Sequence, residues 1–425
     1  MCGGSVGLPL TREERVDDGC ENRCRPAAAA RIGRYRGHGQ EGHRRLSAAG
    51  DERRADVVVV GAGLAGLTAA HALHAAGMSV RLIEARTAVG GRIKTLTPEG
   101  LGDDAWFDLG ATWHWSNQPE VRALAAGLGV ETFPQFRNGR AVVDDPSAGS
   151  SPTMVDLTPP SPSELRFVGG AGVLCRRLAA RLPADGLWLG TEVTAIGRQD
   201  AGVVVVTDED GDGAASEVEA AFVVVAVPPR LVVQNIAFTP GLPDDLVRVM
   251  TATPTWMARA HKCLAVYESA FWRKAGRSGL AFSPAGPLIE VHDACTDGGG
   301  AAGLWGFLSG DHIHRDPAFD RRMPSVLAQL GRLFGAEAAD PVQYFERDWS
   351  NDPYTNDEVA WMGAPLAYGD EAFARPALDG RLFWAGAETS AVGGGHMEGA
   401  VRSGRRAAAS VLAAAGFGPV TGETR

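Results

Sequence analysis

The feature that most narrows the fold of this chain is a glycine turn set between two stretches of different periodicity. Residues 56–60 end in the unbroken aliphatic run Val57-Val58-Val59-Val60, the pattern of a strand covered on both faces in a parallel sheet. Gly61-Ala62-Gly63-Leu64-Ala65-Gly66 follows without a spacer. Residues 67–76 read as a helix with Gly77 at its C′ position, and residues 80–84 as a second short strand. Strand, turn, helix and strand make a βαβ unit, which predicts an α/β fold with a parallel sheet.

The three glycines of the turn have different tasks. Gly61 allows a tight exit from the strand, Gly63 lets a ligand approach the backbone, and Gly66 lets the helix lie close to the strand. Leu64 and Ala65 open the helix, whose first N–H groups and positive dipole end suit a pyrophosphate. Glu84, 18 residues after Gly66, closes the second strand, where a carboxylate can accept hydrogen bonds from an adenosine ribose. The unit predicts dinucleotide binding, and the acid alone does not separate NAD from FAD.

Further strands are expected over residues 187–196, 203–208, 222–227 and 381–387. Helices are expected over residues 173–182, 323–334 and 397–414, and a Pro/Ser/Thr/Asp-rich loop over residues 144–163. The predicted division is a discontinuous dinucleotide-binding domain (residues 55–133, 165–249 and 376–417) and an α+β substrate domain with a mixed sheet (residues 134–164 and 250–375). Residues 1–54 hold 11 Arg, no Lys and 8 acids with almost no aliphatic periodicity. Such a segment buries too little apolar surface to offset its ordering entropy and reads as a disordered leader. The net charge of −10 weighs against nucleic-acid and anionic-membrane surfaces. No apolar run approaches the ~20 residues that span a bilayer, and the six cysteines form no CxxC pair. A reduced, cytoplasmic, soluble protein is the expectation.

Beyond the turn, Glu84-Ala85-Arg86 leads to Val89-Gly90-Gly91-Arg92 and then to Asp108-Leu109-Gly110-Ala111-Thr112. This series resembles the long FAD fingerprint of the amine oxidase, polyamine oxidase and phytoene desaturase superfamily. Near the other end stand Trp384-Ala385-Gly386-Ala387-Glu388-Thr389 and Gly393-Gly394-Gly395-His396-Met397-Glu398, which resemble the second FAD motif of the flavin monoamine oxidase family. The middle also matches: Phe167-Val168-Gly169-Gly170 before a helix, Thr191-Glu192-Val193 opening a strand near the adenine, and Val225-Ala226-Val227-Pro228-Pro229. The resemblance runs from about residue 56 to about residue 412. It implies a Rossmann-like FAD-binding domain. Gly91, Arg92, Gly110, Ala111 and Thr112 would lie along the cofactor, and Val193, Gly386, Glu388 and Met397 would complete its site. A helix starting near Met397 would aim N–H groups at the pyrimidine edge of the flavin.

The same resemblance names three catalytic candidates. Lys262, inside the apolar run His261-Lys262-Cys263-Leu264-Ala265-Val266-Tyr267, matches a lysine that reaches flavin N5 through a water; read without the family, it is a surface strand lysine. Trp349 matches a tryptophan beside the flavin, with core packing as its plainer reading. His396 falls on one wall of the family's amine cage and reads equally as an acid–base group, a polar wall or a structural residue. The implied reaction takes a hydride from the carbon next to an amine, giving an imine and, with O₂, H₂O₂.

The chain departs from the family at several points. Glu358 stands where monoamine oxidases can carry a flavin-linking Cys, and no Cys follows Cys295, so FAD is expected to be non-covalent. Val359 stands where the other cage wall falls, so the two-tyrosine cage is absent. The region before Phe167 is short, which implies a more open pocket. The substrate is expected to be a small amine or amino acid, and a homodimer is compatible with the reading. An L-amino-acid oxidase would need an arginine for the carboxylate, with Arg259 and Arg137 as candidates. A biosynthetic flavin desaturase, a catalytically inactive flavin-binding protein and a nicotinamide-only dehydrogenase are the other readings.

Overall fold

The valine run forms the centre of the first sheet because both of its faces are covered. Val57 and Val59 enter the core beneath helix Leu64–Ala75, while Val58 and Val60 enter a second core on the opposite face. That is the two-residue alternation of a strand. Burying each valine contributes roughly 1.5–3 kcal/mol. The structure, a computed structural model, describes residues 53–102, 104–145, 151–158, 161–209, 215–284, 286–310, 318–356 and 368–417.

Strand Arg54–Val60 lies between Val80–Ile83 and Ala215–Val225, parallel to both. The sheet continues on one side through Leu187–Trp188. On the other it continues through Val203–Glu209, Thr191–Arg198 and Ala237–Thr239. The long strand Ala215–Val225 changes partner along its length. Its first part pairs antiparallel with Val203–Glu209, and Val223, Val224 and Val225 pair in parallel with Leu382, Phe383 and Trp384. The C-terminal strand is thereby brought within one strand of the N-terminal one.

Helix Met397–Ala414 then crosses helix Leu64–Ala75 in close contact. A Cβ on Gly404 would lie 2.4 Å from the carbonyl oxygen of Ala65, so only glycine permits this approach. The crossing sets the starts of both helices at one end of the sheet.

The second sheet runs Gln343–Asp348, His261–Tyr267, Ala302–Leu308, Leu288–Asp293, Arg277–Phe282, Arg140–Val143 and Thr153–Val155. It is mixed, because Arg277–Phe282 pairs in parallel with Arg140–Val143 while the other pairings are antiparallel. Cys263, Ala265 and Tyr267 face the core under helix Phe319–Phe334, and Leu264 and Val266 face Phe107 and Leu109. By the same alternation Lys262 belongs to the Leu264 face, toward the first sheet.

Several expectations need correction. Residues 187–196 are not one strand: Gly190 takes φ +69°, and the two pieces join different neighbours in the first sheet. The loop expected over residues 144–163 contains strand Thr153–Val155, which zips onto Arg140–Val143; residues 146–150 and 159–160 lie outside the described residues. The helix expected from residue 323 begins at Phe319, with Pro324 in its interior, where a proline would ordinarily mark a start. Arg54, expected in the leader, opens the first strand; the remaining leader expectation falls outside the described residues except at Arg53. The last strand, expected over residues 381–387, stops at Trp384. Among the described residues no helix is long and apolar enough to cross a membrane.

Candidate active site

Between the two sheets lies a cavity of about 500 Å³, within the size range of cofactor and small-molecule sites. The glycine turn contributes Gly61, Gly63, Leu64 and Ala65, and the next loops contribute Glu84, Ala85, Arg86, Gly91, Arg92, Gly110, Ala111 and Thr112. Val193, Gly386, Glu388 and Met397 line it too, as do Lys262, Trp349 and His396. Gly66 alone among the site residues expected from the sequence is not in the wall.

The turn explains why. A Cβ on Gly66 would sit 1.9 Å from the Gly61 carbonyl oxygen, whereas a Cβ on Gly63 would meet nothing within 4 Å. Gly66 closes the helix onto the strand, and Gly63 leaves bare backbone facing the cavity. Gly61 adopts φ +96°, a conformation glycine enters without strain. Helix Leu64–Ala75 starts with Gly63 as N-cap, without a side-chain cap and without an acid in its first turn. Its leading N–H groups therefore face the cavity with the positive end of the helix dipole.

Glu84 braces this turn. It is 4% exposed, and its Oε2 accepts from the Ala62 N–H at 2.6 Å while Oε1 accepts from the Arg86 N–H at 3.0 Å. The Arg86 guanidinium donates to Asp352 Oδ1 at 2.6 Å and to Thr355 Oγ1 at 2.9 Å, beside the Tyr354 ring. A loop of the second region is thus pinned to the end of the first βαβ unit.

The two distant glycine motifs meet at Arg92 and Glu388. Arg92 donates from Nη1 to Glu388 Oε1 at 2.5 Å and from Nη2 to Oε2 at 2.9 Å. Nη1 also donates to the Trp256 carbonyl at 2.8 Å, and the Trp256 N–H donates to Glu388 Oε1 at 3.1 Å. Glu388 is wholly buried, so this forked pair neutralises a charge that would be costly alone.

Lys262 is 2% exposed. Its Nζ donates to Thr112 Oγ1 at 2.7 Å and to the Gly110 carbonyl at 3.2 Å, and stands 3.7 Å from the centre of the Trp305 ring. Burial lowers its pKa to about 7; the Arg166 guanidinium pushes the same way and the Asp108 carboxylate opposes both. Burial likewise pushes the Asp108 carboxyl up, against a hydrogen bond from Thr95. Trp349 donates from Nε1 to the Leu109 carbonyl at 3.1 Å, so Lys262 and Trp349 fasten to the same segment, residues 109–112. His396 is the N-cap residue of helix Met397–Ala414, and its Nδ1 lies 2.9 Å from the Gly394 carbonyl oxygen.

Several wall residues were not expected from the sequence. Trp113, Trp115, Trp256, Trp305, Phe307 and Tyr354 give the cavity an aromatic lining. Two of these pairs carried a signal: Trp113 with Trp115 directly after Thr112, and Trp305 with Phe307, are each spaced by two residues, the period of a strand face. Trp256 sits in an irregular stretch that no period marks. Glu358 and Val359 lie outside the described residues. Neither Arg137 nor Arg259 lines the cavity; Arg137 donates from Nε and Nη2 to Glu164 Oε2 at 2.9 and 2.5 Å. Cys175, Cys263 and Cys295 are free, buried and away from the wall.

A dinucleotide-type sheet facing a second sheet across one cavity, with walls drawn from both ends of the chain, defines a two-part nucleotide-cofactor oxidoreductase. Residues 153–412 match the family described as flavin containing amine oxidoreductase, and residues 59–128 match the NAD(P)-binding Rossmann-like domain. The chain belongs to the flavin-containing amine oxidoreductase family. It is 30% identical to a putative flavin-containing monoamine oxidase, AofH, of Mycobacterium tuberculosis, over 84% of this chain and 96% of that one. Identity to the putrescine oxidase of Kocuria rosea is also 30%, over 87% and 97%. A solved structure of wild-type putrescine oxidase bound to putrescine superposes with a TM-score of 0.71 at 25% identity, covering 85% of this chain and 99% of that one. The chain is an FAD-dependent oxidoreductase of the amine oxidase type.

Proposed function

We propose that this chain binds FAD in the cavity and oxidises a small amine there, with the lining residues holding the cofactor and orienting the substrate. Bound FAD would supply the redox chemistry, hydride acceptance from the carbon beside the amine nitrogen with O₂ as the final acceptor, for which the products are imine and H₂O₂. The bare backbone at Gly63, where a Cβ would meet nothing, fits the pyrophosphate of such a group. The N–H groups of Leu64 and Ala65 would hold it, and Glu84 keeps lone pairs for the ribose beyond the two it gives to backbone N–H groups. Ala85, Arg86 and Val193 would hold the adenosine end, and Gly91, Arg92, Gly110, Ala111, Thr112, Gly386, Glu388 and Met397 would hold the flavin end.

Lys262 Nζ holds a proton between Thr112 and Gly110, and its charge would stabilise negative charge arising in the cavity. Trp349, fixed by its bond to Leu109, excludes water from the reacting region. The observation that carries the reading is the Arg92–Glu388 fork, which ties the N-terminal and C-terminal motifs into one wall. An amine is favoured over an amino acid because Arg137 is committed to Glu164 and neither it nor Arg259 borders the cavity.

The division into a discontinuous FAD-binding domain (residues 55–133, 165–249 and 376–417) and a substrate domain (residues 134–164 and 250–375) belongs to this proposal. So do non-covalent attachment, cytoplasmic residence and a homodimer. Non-covalent attachment is supported by the three buried cysteines, none of which borders the cavity. The test is direct: the purified protein should be yellow, and acid or heat should release intact FAD. An amine panel should bleach the flavin without oxygen and yield H₂O₂ in air. A protein without flavin, or a flavin that no amine bleaches, overturns the reading. Fractionation and sedimentation check location and assembly.

A further inference from the structure

The ring of His396 is oriented by the backbone two residues before it. Its Nδ1 lies 2.9 Å from the Gly394 carbonyl oxygen, and a carbonyl only accepts, so Nδ1 carries the hydrogen of the neutral ring. The lone pair is therefore on Nε2, which has no partner among the described residues. His396 borders the cavity and packs against two indoles. Trp115 meets it edge-on with ring centres 5.4 Å apart, and Trp256 lies at 6.0 Å. An indole's one polar atom is a donor, so Nε2 is the acceptor that this corner offers an incoming N–H.

We propose that His396 Nε2 receives the amino group of the substrate, accepting one of its N–H hydrogens and taking the proton of a substrate that arrives as an ammonium ion. This rests on the amine-oxidase reading of the cavity. In the transfer the ammonium N–H bond breaks, its electron pair stays on nitrogen, and the proton bonds to Nε2. The product pair is a neutral amine and an imidazolium. An amine with a free lone pair gives up a hydride from its neighbouring carbon, whereas an ammonium does not.

The charged and titratable groups around His396 are already engaged. Glu388 and Arg92 pair with each other behind Trp256. Glu398 is turned onto the N–H groups of Glu120 and Val121 and onto Arg402. The Tyr368 hydroxyl donates to the Pro254 carbonyl. Lys262 donates to Thr112 and Gly110 from the second sheet.

The test uses the oxidised holoenzyme and α,α-dimethylbenzylamine, a primary amine with no hydrogen on its α-carbon, beside its N,N,N-trimethyl counterpart. The proposal expects the primary amine to bind about tenfold or more tightly than the quaternary ion, since a hydrogen bond involving a charged group has about that strength. His396→Phe, which keeps a ring between the indoles, should erase the preference. With ¹⁵N-labelled histidine, the His396 signal should change from the Nδ1–H neutral ring to the imidazolium when the primary amine binds. Equal binding by the unmutated enzyme, a preference that survives in His396→Phe, or a ring that stays neutral in the complex overturns the proposal. The labelled-histidine measurement needs no variant, so it decides even if His396→Phe does not fold. A holoenzyme that binds neither ion and is bleached by no amine would instead overturn the amine-oxidase reading itself.

Discussion

The turn at residues 61–66 and the aromatic wall around Lys262 border the same cavity, yet they are built on opposite principles. At the turn the contact groups are backbone atoms, and the side chains are chosen for being absent. Gly66 is needed because 1.9 Å separates its would-be Cβ from Gly61, and Gly63 because the space beyond it must stay empty. At the wall everything depends on large side chains that come from separate places: Trp113 and Trp115 from one segment, Trp256 from a loop, Trp305 and Phe307 from a strand. The turn is a local device whose parts are close in sequence. The wall is a tertiary device whose parts meet only after both sheets have formed.

The largest effect of a substitution is expected where the two regions are tied together. Arg92→Leu leaves Glu388 buried without its partner, which costs about 4 kcal/mol, and should be read as a large loss of thermal stability and of bound flavin. A variant that keeps the stability and flavin content of the parent would show that the fork does not join the two halves.

Next come the two glycines of the turn, which should fail in different ways. Gly66→Ala forces backbone apart and should destabilise the fold by about 3 kcal/mol. Gly63→Ala should leave the melting temperature of the flavin-free protein unchanged and weaken FAD binding about tenfold, because its methyl group enters the cavity. Equal effects on stability from both would remove the distinction between a packing glycine and a cofactor glycine.

On the wall, Lys262→Met removes the buried cation and should slow reoxidation of the reduced enzyme by O₂ about 100-fold, in the range of a lost electrostatic contact. The parent should lose activity with an ionisation near 7, where Lys262 gives up its proton as pH rises, and the variant should lack that step. Stopped-flow reoxidation across pH measures both.

The smallest effect concerns His114, between the two wall tryptophans. It is wholly buried, stacked on Phe167 with ring centres 4.5 Å apart, and burial lowers its pKa to about 4. The folded chain then refuses a proton that the unfolded chain takes up below about 6.5. Stability is full above that pH and falls between 6.5 and 4, by about 2 kcal/mol at pH 5. His114→Phe should flatten this slope, as followed by melting temperature at pH 5 and 7.5.

Much of the first sheet was legible because its signals are local. The valine run, the glycine turn, Glu84 and the helix at Met397–Ala414 each declare themselves within a few residues. The strand break at Gly190 and the edge strand Thr153–Val155 were missed for a shared reason. In both, the neighbour that a segment pairs with, rather than its own composition, decides its form. Trp256 was missed because its position is fixed by Arg92 and Glu388, residues 164 and 132 positions away.

The βαβ unit, its glycines and the order of two flavin-type motifs follow from the chain's residues alone, because backbone sterics and strand periodicity act between near neighbours. Folding was required to make Arg92 meet Glu388, to turn Lys262 toward the cavity with its charge weakened by burial, and to set the ring of His396 beside Trp115 and Trp256. Those outcomes depend on which surfaces are excluded from water together, and exclusion from water is a property of the assembled fold.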